Sequence, residues 1–142
     1  MKKCYFALMV ILMALVSVGV TSCGDDEPEI VNIVGTWALD TDLYGDFAMM
    51  MQFKRSGEFY QVVERIQADG TPVYVVFHGK YELSKKNKLT QLALIYDYDS
   101  DDDGEKDLVI CNYQVQGDKL FLQGQEPFTF VRVKDSVIEP YL

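Results

Sequence analysis

Seven carboxylates and one lysine fall within the eleven residues Asp97-Tyr98-Asp99-Ser100-Asp101-Asp102-Asp103-Gly104-Glu105-Lys106-Asp107, which contain the pattern D-x-D-x-D-G. That chemistry suits calcium, a hard cation that collects about 6 to 8 oxygens from a loop whose alternate residues point inward and whose glycine allows a sharp turn. Asp99, Asp101 and Asp103 take the first, third and fifth ligand positions of such a loop, Glu105 offers its carbonyl, and Asp107 falls at the ninth. The twelfth position holds Ile110 where a bidentate glutamate is needed, so a calcium site here is expected to be weak. The alternative is a solvated acidic loop whose charges keep sheet edges from pairing with other molecules.

Little else in the chain suggests catalysis. His78 is the single histidine, which leaves no second imidazole for a metal or a triad, and the alternation around it places it on an outer face beside Lys80 and Glu82. Cys111 alternates with Val109, Tyr113 and Val115 on an inward face, where an apolar setting raises a thiol's pKa and lowers its reactivity. With no base placed near that thiol, the chain is expected not to be an enzyme. Met49 and Met51, with Phe77 and Tyr113, could line an adaptable apolar pocket, although methionine also fills gaps in ordinary cores. The net charge of -9 and pI near 4.5 exclude nucleic acid as a partner, because phosphate backbones would be repelled.

These residues sit on strands. From Val34 onward no stretch carries a period of 3.6, whereas short runs rich in Val, Ile, Tyr and Phe alternate with Gly, Asn, Asp and Lys clusters. Eight strands are predicted, at about 34–40, 47–54, 58–66, 73–83, 88–96, 108–116, 119–123 and 127–133. Period two is cleanest in the fourth, which puts Val73, Val75, Phe77, Tyr81 and Leu83 on the core face, with Gly79 on that face marking a bend or bulge. Short connections favour nearest-neighbour antiparallel pairing. The expected fold is therefore all-β, an eight-stranded up-and-down barrel, with a two-sheet sandwich as the competitor.

The first 22 residues carry two lysines, an apolar run from Cys4 to Val20 and then small polar residues, the plan of a secretory signal. The run is short for a membrane-spanning helix, and the acidic flank Gly24-Asp25-Asp26-Glu27 is not a stop-transfer flank. Val20-Thr21-Ser22-Cys23 resembles the lipobox of bacterial lipoproteins. That resemblance implies cleavage before Cys23, diacylglycerol on its sulfur and a fatty acid such as palmitate on its amine. Two or three acyl chains hold a protein on a bilayer essentially permanently. The acidic stretch after the cysteine resembles the surface-export signal of lipoproteins in the Bacteroidota, with an ordinary solvated tether as the alternative. The expected organisation is a signal over 1–22, a tether over 23–32, a barrel over 33–134 and a tail over 135–142, placed in the cell envelope at the outer membrane. Removing the first 22 of 142 residues leaves 120, with Cys111 the one unmodified thiol, and takes the net charge from -9 to -11. No intrachain disulfide is then possible, so stability must come from the core.

Val34-Gly35-Thr36-Trp37 resembles the glycine-any-tryptophan signature of lipocalins. Met51-Gln52-Phe53 with Ser56-Gly57-Glu58-Phe59, then Gly79-Lys80-Tyr81-Glu82-Leu83, then Phe128-Thr129-Phe130-Val131-Arg132 follow in the order of the small lipocalin-like domains of bacterial envelope lipoproteins. The resemblance covers about 33–134. It implies that Trp37, packed under Arg132 and beside Gly35, closes one end of the barrel. A C-terminal helix, common in longer lipocalins, is not seen in this sequence. The functional expectation is a lipid-anchored binding module for a small apolar ligand, or else a filled barrel that serves as an interaction subunit of an envelope protein complex.

Overall fold

A computed structural model describes residues 33–44 and 48–142. The strands are β1 (Gly35–Leu39), β2 (Met49–Phe53), β3 (Glu58–Ile66), β4 (Pro72–Lys86), β5 (Leu89–Tyr96), β6 (Leu108–Gln116), β7 (Lys119–Gln123) and β8 (Pro127–Val133). Each pairs antiparallel with the next, and β8 returns to β1 with Trp37 opposite Arg132 and Ala38 opposite Val131. The ladder closes on itself, giving the expected up-and-down barrel and excluding two separate sheets. Strand four runs three residues further than expected, to Lys86, because its hairpin partner β5 stays in register up to Leu89. A short helix not expected from the sequence, α1 (Thr41–Tyr44), lies in the connection between β1 and β2. Asp40 opens it by accepting hydrogen bonds from the Leu43 and Asp42 amides.

Alternation fills the interior with large side chains. Trp37, Phe53, Phe59, Leu92, Leu120 and Phe130 are buried, and Phe53 meets Tyr81 edge-on with ring centroids 5.1 Å apart. Burying each such side chain is worth about 1.5 to 3 kcal/mol. Among the described residues the ladder and the core both lie within 33–142. Gly79 of β4 does face inward, and a Cβ there would stand 2.1 Å from the Ile95 carbonyl oxygen and 2.9 Å from the Phe59 ring. The two strands approach so closely at this point that only glycine fits.

The two ends of the barrel differ. At the end where β1 begins, Trp37 Nε1 donates to the Ile33 carbonyl at 2.9 Å and the Arg132 guanidinium lies 4.2 Å from the indole ring. A cation over an indole contributes about 0.5 to 2 kcal/mol. Arg132 Nη1 also donates to the Val34 carbonyl at 3.1 Å, and Gly35, at φ +132°, leaves room for that nitrogen, which a Cβ would approach to 2.5 Å. Residues 135–142 form two 3-10 turns, Asp135–Val137 and Glu139–Tyr141. Thr36 donates to Asp135 at 2.7 Å and Tyr74 meets Tyr141 with centroids 4.6 Å apart, so the segment is strapped from β1 across to β4. Beneath it the outward-facing Gln52 and Val62 are buried together with Ile138. The opposite end carries the β1–β2 connection, the β3–β4 turn, the acidic loop 97–107 and the β7–β8 turn.

Candidate ligand pocket and acidic rim

A mismatch in strand length creates a cavity at this end. β6 has nine residues and β7 only five, and they pair from Asn112 opposite Gln123 to Gln116 opposite Lys119. Leu108–Cys111 therefore pair with β5 on one side and leave their other edge to the β7–β8 turn. A pocket of about 600 Å³ opens there, into the barrel. Its floor is Met51, Leu94, Cys111 and Leu122, all buried, and its walls include Met49 and Phe128. Leu108, Val109 and Ile110 form the lip and remain 56%, 45% and 54% exposed, unusual for three consecutive apolar strand residues.

Met49 and Met51, expected in a pocket, do line this one. Phe77 and Tyr113 do not. Phe77 stands behind Tyr96 and Tyr98, with centroids 6.2 and 5.3 Å away. Tyr113 lies deeper, where its carbonyl accepts the Thr90 hydroxyl at 2.6 Å, and it borders a separate polar groove of about 460 Å³ between the β4–β5 hairpin and β6–β7. Val109 was expected inside and is instead part of the lip, because β7 ends before reaching it. Sequence reading missed Leu94, Leu122 and Phe128 as pocket residues. The signal available was the four-residue difference between the predicted sixth and seventh strands.

Two polar groups of the pocket, Tyr96 and Gln61, are engaged with each other. Tyr96 donates to Gln61 Oε1 at 2.8 Å, and Gln61 Nε2 donates to Met49 Sδ at 3.2 Å. Burial pushes the Tyr96 hydroxyl's pKa well above the ordinary tyrosine value, and it pushes the Cys111 thiol from 9.0 up to about 11. A protonated thiol of that kind behaves as a small apolar group rather than as a nucleophile.

The acidic loop is wired from within. Asp99 accepts the Gly104 amide at 2.7 Å and the Asp103 amide at 3.3 Å, Asp107 accepts the Ser100 amide at 2.8 Å, and Asp103 accepts the Glu105 amide at 2.8 Å. Hydrogen bonds led by the Gly104 amide hold the Asp99 carboxyl below its usual range. Of the four residues expected to offer carboxylates to calcium, Asp99, Asp101 and Asp107 bring oxygens within 4.8 Å of one another and Asp103 is not in that group. Three converging carboxylates could serve a calcium ion, with the rest of its shell from water or carbonyls.

His78 lies on the outer face as expected, but it is not isolated. Its Nε2 stands 3.2 Å from Glu58, its Nδ1 contacts Asp97, and its ring lies against Tyr60 with centroids 4.6 Å apart. Asp97 also pairs with Lys106 at 3.2 Å, and these two partners, Lys106 foremost, hold its carboxyl below the usual range. The base of the loop is thereby tied to β4.

Charge divides by end. Lys54, Arg55, Lys85, Lys86 and Lys88 lie in or beside the β2–β3 and β4–β5 turns at the closed end, together with Glu58, Asp118, Asp135 and Glu139, whereas the mouth carries the loop's seven acids, Asp69 and Glu126 with Arg65 and Lys106. Cys23 and the rest of the expected signal and tether lie outside the described residues, and among the described residues no helix is long and apolar enough to cross a membrane. The chain matches no protein-family model, no curated protein and no solved structure.

Proposed function

We propose that the chain is a lipid-anchored, lipocalin-like binding module of the cell envelope, held at the outer membrane through Cys23, whose barrel takes a small apolar ligand. The observation that carries this reading is the pocket of about 600 Å³, open at one end of a barrel that is plugged at the other by Trp37 and Arg132. A cavity of that size with an apolar floor and a few satisfied polar groups is the usual form of a small-molecule site. The lip supports the same reading, since Val109, which alternates with the floor residue Cys111 and is 45% exposed, would be covered by an occupant that fills the window. The lipobox-like Val20-Thr21-Ser22-Cys23 supports the anchor.

Native mass spectrometry of the chain from Gly24 onward, purified from cells with an envelope, tests the pocket. The expected result is a discrete adduct at one copy per chain that is lost on denaturation. A bare mass that also fails to take up added apolar compounds favours the alternative, in which the barrel is a scaffold within an envelope protein complex. A second reading, calcium at the mouth, is favoured by the convergence of Asp99, Asp101 and Asp107. It is compatible with the first, since the loop joins β5 to β6 at the rim.

A further inference from the structure

We propose that the ligand of this pocket is a cationic amphiphile, an apolar body bearing an amine or quaternary ammonium group. The inference rests on the pocket reading above and adds the ligand's charge to it. Among the described residues that line the pocket the only charged one is Glu126, at the lip, and no lysine or arginine is among them. Floor residues such as Met51 and Leu122 offer no partner to a charged group, and Gln61 and Tyr96 are already bonded to each other. A ligand's charged end must therefore stay at the mouth.

The mouth is strongly negative. The loop 97–107 carries six net negative charges and joins directly to Tyr96 and Leu108, both of which line the pocket. Its one lysine, Lys106, is paired with Asp97, and Arg65 of β3, close to Tyr98, is not among the residues that line the pocket. An apolar cleft with walls of one sign focuses the field and raises the local concentration of the opposite charge. A fatty-acid carboxylate would stand among like charges with no lining base to pair with. An ammonium would find Glu126 and the loop's field.

Three ligands with one ten-carbon chain isolate the head group: decylammonium, decanol and decanoate. Each is titrated against the chain from Gly24 onward loaded with one equivalent of the neutral dye N-phenyl-1-naphthylamine, at neutral pH, low salt and with a chelator present. Decylammonium is expected to displace the dye at about tenfold lower concentration than decanoate, with decanol between them, given several unit charges near the mouth. The gap should contract in high salt, and also in Glu126→Gln and in Asp102→Asn/Asp103→Asn. Equal displacement by decylammonium and decanoate, or stronger displacement by decanoate, overturns the assigned charge while dye and decanol binding leave the pocket standing. Failure of the dye and of all three ligands to bind overturns the pocket itself and this inference with it.

Discussion

Cys111 shows how a residue that could do chemistry is kept from doing it. The thiol sits on the pocket floor, and burial raises its pKa from 9.0 to about 11. The linkage has a definite sign. Below about pH 9 the thiol is protonated in both folded and unfolded chains and contributes nothing to the pH dependence. Between 9 and 11 the unfolded chain releases the proton while the native one retains it, so stability falls as pH rises through that window. Tyr81, Tyr96 and Tyr113, also raised by burial, add to the same decline at higher pH. Thermal midpoints measured across this range should fall less steeply for Cys111→Ala than for the wild type, most clearly before the tyrosines titrate. Parallel slopes would mean that the thiol is not held neutral in the folded protein.

At the scale of elements, the loop between β5 and β6 is the part whose behaviour depends most on solution conditions. Its carboxylates repel one another, and backbone amides compensate only part of that cost. Calcium is expected to raise the thermal midpoint of the wild-type domain by a few degrees, because an ion at ten times its dissociation constant stabilises the folded state by about 1.4 kcal/mol. Asp99→Ala/Asp101→Ala should abolish the shift, and magnesium should produce much less of it, since it gives up water reluctantly and demands octahedral geometry. An equal response to both ions, or an unchanged response in the double variant, would reduce the loop to a screened acidic surface. The strands around this loop were legible because alternation and turn residues are local signals, and Gly79 and Trp37 stood out for the same reason. The pocket was only half legible. Met49 and Met51 could be placed inward by parity, but which inward residues border empty space depends on where a neighbouring strand stops. Likewise the contacts of His78 with Glu58 and Asp97 join residues far apart in sequence, and the strapped segment 135–142, expected as a tail, is tied down by Thr36 and Tyr74 from distant strands.

For the whole molecule, the closed end holds Ile33, the basic turns and the start of β1, while the mouth and its acids lie opposite. The ten residues from Cys23 to Asn32 span at most about 35 Å, so a chain lipidated at Cys23 is leashed to the bilayer by its plugged end. Anionic head groups would draw Lys54, Arg55 and Lys85 toward the surface and push the acidic rim away from it. A fluorophore placed at Ser56, in the β2–β3 turn, should be quenched by lipid-borne quenchers more strongly than one at Ser100, and Cys23→Ala should remove both signals. Stronger quenching at Ser100 would reverse the orientation. The charge separation between the two ends thus acts as a compass needle. On a chain anchored as proposed it would turn the window toward the water, so that a ligand would be exchanged with whatever diffuses past or docks from outside rather than with the leaflet that holds the anchor.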